Sequence, residues 1–137
     1  MDILSALDAA TEEFGRRLAL VNEKGWTGAT PCSDWDVRYL AAHVVGGNRF
    51  AVLILGGMAG PEAIERVLST PQLGDDAIEA RATTSAAQRA AFHETELERE
   101  IDHPLGGISG RQFLEFRVLS RSVRRLPVRL PKQDFLT

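Results

Sequence analysis

The stretch CSDWDVRYLAAHVVGGNRF, residues 32–50, begins with polar residues suited to a helix N-terminus and continues with an apolar periodicity. The Ser33 hydroxyl can accept a hydrogen bond from a backbone N–H near Asp36, and the Asp36 carboxylate can accept one from the backbone at Ser33, as in a capping box. One face of the helix takes residues that recur at steps of three and four: Leu40, His43, Val44, Gly47, Ala51 and Ile54. The pattern predicts an amphipathic helix that starts at Ser33 and carries His43 among its inward-facing residues.

The same periodicity predicts a helix before this stretch and a short one after it. The earlier face consists of Ile3, Leu7, Ala10, Phe14, Leu18 and Val21. The segment NEKGWTGATPCS then breaks the pattern with two glycines and a proline. Beyond GGMAG, the segment PEAIERVLST predicts a short helix, because proline is tolerated at the first helical position.

Two longer helices are predicted in the second half of the chain. Asp75 or Asp76 caps an alanine-rich helix that runs to about Arg99. Its weak apolar face consists of Ile78, Ala82, Ala86, Phe92 and Leu97. The last helix carries Phe113, Phe116, Leu119, Val123 and Leu126 on one side, and Pro127 and Pro131 end it.

The pattern of helices predicts an all-α fold, a four-helix bundle. The Gly- and Pro-rich segment DHPLGGISG, residues 102–110, is predicted to be a turn, and no strand-like alternation of any length appears. The 137 residues and the 44 % hydrophobic content suit one domain with a single core. We therefore expect residues 1–137 to form a single bundle domain.

Composition limits the classes of partner. The formal net charge of -3 gives no general attraction to nucleic acid or acidic membranes. The single cysteine excludes an intrachain disulfide. The acidic N-terminus is unlike a signal peptide. The apolar run at residues 50–55 is too short to cross a bilayer. These features predict a soluble cytoplasmic protein.

The residues alone leave the chemistry of the candidate site open. His43 fits either a buried neutral imidazole within the core or a metal ligand, and a metal would need further ligands from elsewhere. Cys32 lies just before a predicted helix N-terminus, which can activate a thiol, but no histidine neighbours it in sequence. His93 is surrounded by charged residues and is expected to be solvated, whereas His103 lies in the predicted turn.

The C-terminal part is rich in arginine. Arg117, Arg121 and Arg124 or Arg125 fall opposite the phenylalanines of the last helix, which indicates a solvated face. Binding of an anion or an acidic partner is the alternative. A nucleic-acid interface is not indicated, since aromatic residues do not alternate with the arginines and no nucleic-acid-binding module is present.

Two segments resemble the DinB-like superfamily, in the actinobacterial branch that includes mycothiol-dependent maleylpyruvate isomerase. The segment TPCSDWDVRYLAAHVVGG resembles the W-D-V-x-x-L-x-x-H signature that supplies the first metal ligand of that family. The matching residues are Trp35, Asp36, Val37, Leu40 and His43. HPLGGISGRQFLEFRVL, residues 103–119, is similar to the segment that leads into the later ligand helix, so the resemblance extends to about Leu119.

The resemblance implies a bundle with a divalent metal, often zinc, at one end. Three protein ligands typically hold this metal and leave a position open to water or substrate. The activity implied is isomerisation or transfer with a low-molecular-weight thiol such as mycothiol, and His43 would occupy the first ligand position.

The chain departs from the family pattern after Leu119. The family usually continues with an acidic residue and, four positions later, a histidine. In that register Ser120 replaces the carboxylate and Arg124 replaces the histidine, and neither is an ordinary metal ligand. Residues 120–137 thus form a divergent, basic C-terminal part, and we expect an impaired metal site.

Three interpretations of this departure are open. In the first, the gene has shifted frame or lost its end after about Leu119. In the second, the protein is a metal-free descendant whose arginines bind an anion or a partner. In the third, His93 or His103 joins His43 in a different site. The first interpretation is favoured, because the whole expected ligand helix is replaced by a basic segment that prolines interrupt.

The sequence leaves open whether the protein is an enzyme. If it is active, the resemblance implies a metal-dependent, thiol-using isomerase or transferase. The alternative is a non-catalytic bundle that associates with itself as a homo-oligomer or with another chain, through the apolar face of its last helix.

Overall fold

The computed structural model describes residues 2–21, 23–28, 36–104 and 106–122 of the chain. In this part the fold is helical with one small hairpin, which confirms the predicted all-α class apart from that hairpin. The elements are α1 (Ile3–Ala19), a 3-10 helix (Glu23–Thr27), α2 (Val37–Leu55), α3 (Gly60–Leu68), α4 (Ala77–Glu94), β1 (Glu100–His103), β2 (Gly106–Ser109) and α5 (Gly110–Ser122). Among the described helices, none combines the length and apolar character needed to cross a membrane.

Aspartates cap three of the long helices. The Asp2 carboxylate accepts the backbone N–H of Ser5 at the start of α1. At α2 the cap is Asp36, which accepts the N–H of Tyr39 at 2.8 Å, so the helix begins later than the predicted start at Ser33. Ser33 itself lies outside the described residues. A carboxylate at this position both satisfies a backbone donor and favours the positive end of the helix dipole.

A hairpin replaces the predicted turn at residues 102–110. Strands β1 and β2 pair antiparallel, with Ile101 opposite Ile108 and His103 opposite Gly106. Gly106 has a φ of 116°, a conformation that glycine adopts without the strain of a Cβ. The prediction was wrong here because each strand has only four residues, too few for alternation to show.

The hairpin also fixes the start of α3. The N-cap residue of α3, Ala59, has no side chain that could accept a hydrogen bond. Instead, the Asp102 carboxylate of β1 accepts the backbone N–H of Gly60 at 3.2 Å. A Cβ added to Gly60 would come within 2.7 Å of the Asp102 carbonyl oxygen. Glycine at this position therefore permits close contact between α3 and the hairpin.

Helix α4 buries Phe92 as predicted, but the rest of its buried face differs from the predicted one. Ile78, Ala82 and Ala86 are exposed, and the helix ends at Glu94 rather than near Arg99. Its buried residues are Thr84, Ser85, Gln88 and Phe92. Three of these four are polar, so a search for apolar periodicity could not find this face.

Two apolar clusters fill the bundle interior. One lies around Leu7 of α1, Ile54 of α2, Phe92 of α4 and Phe113 of α5. The other lies around Phe14 and Leu18 of α1, Val44 and Val45 of α2, and Leu73 before α4. On α2, the first cluster begins at Ala51 and the second ends at Val45. The buried polar residue Asn48 lies between them.

The apolar face predicted for the last helix is described in part. Phe113 is buried, whereas Phe116 is 42 % exposed. The side chain of Leu119 and all of Val123 and Leu126 lie outside what the structure describes. The predicted extent of the domain to residue 137 likewise stays a prediction.

Candidate functional site

His43 lies on the second turn of α2, where the sequence predicted it. The residue is half-buried and its Nδ1 atom is shielded from solvent. Its neighbours on the helix, Val44 and Val45, are in the apolar core. A half-buried imidazole suits a metal ligand as well as a core residue.

A network of buried polar side chains lies one turn further along α2. The Arg117 guanidinium of α5 donates from Nε to Gln88 Oε1 at 2.8 Å and from Nη2 to Asn48 Oδ1 at 3.0 Å. The Asn48 amide in turn donates to the hydroxyls of Thr84 and Ser85, both at 3.1 Å. We call these five residues the polar layer. It joins α2, α4 and α5 through the bundle interior.

Arg117 is half-buried, with its guanidinium directed into the bundle rather than part of a fully solvated face, which corrects the prediction for this residue. Burial lowers its pKa to about 10, so the guanidinium is still charged at neutral pH. Its hydrogen-bond acceptors, Gln88 and Asn48, are neutral, and no carboxylate pairs with it in the described part of the chain. Neutral acceptors compensate only part of the cost of burying a charge.

Gly47 provides the space that the guanidinium occupies. A Cβ at this position would lie 2.7 Å from Nη1 of Arg117 and 3.1 Å from its Nη2. Glycine inside a helix costs roughly 1 kcal/mol relative to alanine, which indicates close approach of another group or a local break. The structure shows close approach by a side chain.

Helix α5 runs antiparallel to α2. Phe113 contacts Phe50, and one turn later Arg117 bonds Asn48. If this register continues for about another turn, the backbone of Ser120 comes near the level of His43. The side chains of Ser120 and Arg121 are not described, and Arg124 and Arg125 lie outside the described residues. The expected ligand replacements therefore stay predictions.

The other two histidines lie apart from His43. His103 packs against the rings of Phe50, Phe113 and Phe116, with centroid distances of 5.5 to 6.0 Å. Phe50 follows His43 by seven residues, about 10 Å along the helix axis. His93 is exposed on the last turn of α4. Cys32 lies outside the described residues.

These donors do not fit an ordinary three-ligand metal centre. Across residues 2–21, 23–28, 36–104 and 106–122, no group of three His, Cys, Asp or Glu side chains is close enough to hold an ion. His43 supplies one imidazole, and the polar layer one turn further along α2 consists of amide, hydroxyl and guanidinium groups. A guanidinium cannot bind a cation, because it has donors and no acceptor.

Most of the polar layer was not predicted from the sequence. Asn48, Thr84, Ser85 and Gln88 are each less than 10 % exposed, although nothing in their local sequence marks them as buried. The one signal was Gly47, a glycine at a core-facing position of a helix. Such a residue indicates that something large packs there, but not what it is.

Comparisons with known proteins agree with the helical bundle. The model of the mycothiol maleylpyruvate isomerase N-terminal domain matches residues 7–102. Two uncharacterized proteins of Mycobacterium tuberculosis, from strains H37Rv and CDC 1551 / Oshkosh, are 30 % identical over 118 residues. These residues are 85 % of this chain and 60 % of each relative, so the chain spans less than two thirds of their length. No solved structure matches the chain significantly.

The bundle and the matched residues define the class as a DinB-like helical domain. More narrowly, the chain belongs to the mycothiol maleylpyruvate isomerase N-terminal domain family, which confirms the resemblance seen in the sequence. The match includes His43 and ends at Asp102, before α5.

Proposed function

We propose that this chain is a member of the mycothiol-dependent isomerase and transferase type whose metal site is impaired. It keeps the bundle and His43 but binds zinc or another divalent ion weakly. A low-molecular-weight thiol such as mycothiol would then bind without strong activation by a metal. The single observation that carries this proposal is the guanidinium of Arg117, which lies inside the bundle beside Gly47, one turn along α2 from His43.

The charge opposes a second cation in the same interior. Gly47, which the guanidinium contacts, follows His43 by four residues, a rise of about 6 Å along α2. For scale, two unit charges about 6 Å apart repel by on the order of 3 kcal/mol with an effective dielectric constant near 20. A divalent ion at His43 would face a larger penalty. The replacement of the expected acidic ligand by Ser120 removes the charge that could offset it.

A second candidate is a non-catalytic bundle that self-associates or binds another chain. Phe116 favours it, because 42 % of this large apolar side chain is exposed on α5 beside His103. Neither candidate involves nucleic acid or a membrane.

Metal content by mass spectrometry tests the proposal. After dialysis we expect the parent chain to retain far less than one zinc ion per chain. The double variant Ser120→Glu/Arg124→His restores the family pattern, and we expect it to retain about one ion per chain. Adding His43→Ala to this variant should remove that ion.

Retention of about one zinc ion by the parent itself, and its loss in His43→Ala, would contradict the proposal. Sedimentation of the same samples separates the two candidates. A zinc-free oligomer that forms with rising concentration, and that dissociates in Phe116→Ser, would favour the self-associating bundle.

A further inference from the structure

A groove on the surface of the bundle lies between α1 and α4. Its volume is about 400 Å³, within the range typical of small-molecule sites. The polar residues that line it include Asp8 and Glu12 of α1 and Ser85, Gln88 and Arg89 of α4. Two of them, Ser85 and Gln88, are buried members of the polar layer, and we call them the floor of the groove. The three charged residues form its rim.

The floor has two hydrogen-bond donors without acceptors. Gln88 is 1 % exposed, and its Oε1 accepts from Arg117, but its Nε2 donates to no residue that the structure describes. This Nε2 is not among the unpaired atoms that the described residues shield fully from solvent, so it reaches the groove. The Ser85 hydroxyl accepts from Asn48, and its own proton has no acceptor in the part of the chain described. Unpaired donors at such depth are costly, and they indicate an occupant with acceptor atoms.

The positive charge of Arg117 lies directly behind the floor. Its guanidinium donates to Gln88 and Asn48 and pairs with no carboxylate among the described residues. Hydrogen bonds in a chain polarise one another, so a cation bonded to Gln88 Oε1 makes Nε2 a stronger donor. The floor therefore favours an anionic acceptor, such as a carboxylate, over a neutral oxygen.

The rim has the opposite charge. Asp8 and Glu12 lie one turn apart on α1 and provide two carboxylates, against one guanidinium from Arg89. Arg89 Nε donates to Asp8 Oδ2 at 3.0 Å, whereas the exposed Glu12 forms no ion pair with any residue that the structure describes. Arg81 instead donates to the Thr11 carbonyl and does not line the groove. A single unpaired surface carboxylate is common, but beside a floor of opposite charge it makes the groove dipolar.

We propose that this groove binds a small zwitterion, an α-amino acid with a short apolar side chain. The carboxylate of the ligand accepts from Gln88 Nε2 and from the Ser85 hydroxyl, and its ammonium group lies beside Glu12. Ala86, which also lines the groove, provides apolar surface for the ligand side chain. The site lies between α1 and α4, whereas His43 is on α2, so this proposal does not depend on the proposed function.

Titration of the full chain with L-valine, followed by nuclear magnetic resonance, tests the proposal without any metal. We expect saturable shifts of the Gln88 side-chain amide and of the Ala86 backbone amide. The Nε–H of Arg117 should shift as well, because it is bonded to Gln88. If these groups showed no saturable shift, water would be the acceptor for the floor donors, and the proposal would be overturned.

Two analogues of valine test the two ends of the groove separately. 2-Methylpropylamine lacks the carboxylate and should bind roughly tenfold more weakly than valine, because the floor loses its charged acceptor. 3-Methylbutanoate lacks the amine and should bind roughly threefold more weakly, because an ion pair with an exposed carboxylate contributes less. Binding of either analogue as tightly as valine would contradict a site for a zwitterion.

Variants of the chain locate the ligand. Ser85→Ala removes a floor donor and should weaken valine binding roughly tenfold, and Glu12→Gln should weaken it roughly threefold. Ala86→Trp should abolish binding by filling the groove. Ala90→Trp is the matched control, since Ala90 is an exposed alanine one turn later on α4, and it should bind as the parent does. Unchanged valine binding in both Ser85→Ala and Ala86→Trp would place the ligand elsewhere and overturn the proposal.

Discussion

Arg117 is the residue whose surroundings most shape the interior of this protein. Its guanidinium occupies the space beside Gly47 and bonds Asn48 and Gln88, so one side chain joins three helices. A guanidinium inside the bundle is partly removed from water, so its charge depends on the hydrogen bonds to Gln88 and Asn48. Loss of either partner would leave a buried polar group unsatisfied, which costs about 1–3 kcal/mol.

Gly47→Ala should destabilise the protein although alanine favours helix. The new methyl group would lie 2.7 Å from Arg117 Nη1 and would displace a guanidinium held by two hydrogen bonds. We expect a loss of about 1–2 kcal/mol in the free energy of unfolding, measured by urea titration.

The control is the same substitution in an Arg117→Ala background. There the clash is absent, and Gly47→Ala should stabilise the protein by up to about 1 kcal/mol through helix propensity. The same sign of effect in both backgrounds would show that contact with Arg117 does not explain Gly47.

At the scale of the element, the helices are determined by local chemistry at their ends. Asp36 and Asp76 each accept a backbone N–H three residues later, from Tyr39 and Glu79. The sequence could not decide between Asp75 and Asp76, because either side chain could act as the cap. The structure selects Asp76.

Asp76→Ala should lower the free energy of unfolding by about 1 kcal/mol, because Glu79 loses its acceptor. Asp75→Ala is the matched control, one residue earlier and equally charged, and it should have an effect within about 0.5 kcal/mol of zero. Thermal or chemical unfolding measures both. If the Asp75 variant lost more stability than the Asp76 variant, the cap assignment would be wrong.

At the scale of the whole molecule, the hairpin closes one end of the bundle. His103 of β1 lies against Phe50 of α2 and against Phe113 and Phe116 of α5, so its ring helps to join the hairpin to two helices. Burial lowers the pKa of His103 below the usual value of 6.5.

The lowered pKa makes stability depend on pH. The unfolded chain takes up the His103 proton at a higher pH than the folded chain, so stability should fall as the pH drops through 6.5 to the lower pKa of the folded state. His103→Phe keeps a ring at this position and removes the proton, so thermal unfolding of this variant should depend less on pH between about 7 and 5.

His93→Gln is the control for this measurement, since His93 is an exposed histidine on α4. The variant should show the same pH dependence as the parent. An unchanged slope in His103→Phe would mean that other groups cause the acid sensitivity.

Local periodicity was sufficient to predict the helical class and the first two helices. The spacing of apolar residues from Ile3 to Leu18 and from Leu40 to Ile54 predicted α1 and α2, with small errors at the ends. The W-D-V-x-x-L-x-x-H segment predicted the family, which the match over residues 7–102 confirms. His43 was placed on the inward side of α2 by the same spacing.

Only the tertiary structure decided what lies between the two apolar clusters. Arg117 is 69 residues from Asn48 and 29 from Gln88, and no local pattern relates them. Periodicity detects a buried face through its apolar residues, so it assigned Arg117 to solvent and overlooked the polar face of α4. A buried polar side chain needs hydrogen-bond partners, and those of Arg117 come from helices that are distant in sequence. For that reason the sequence by itself determined the helices and the family of this protein, and the packing of the helices determined which polar residues became its interior.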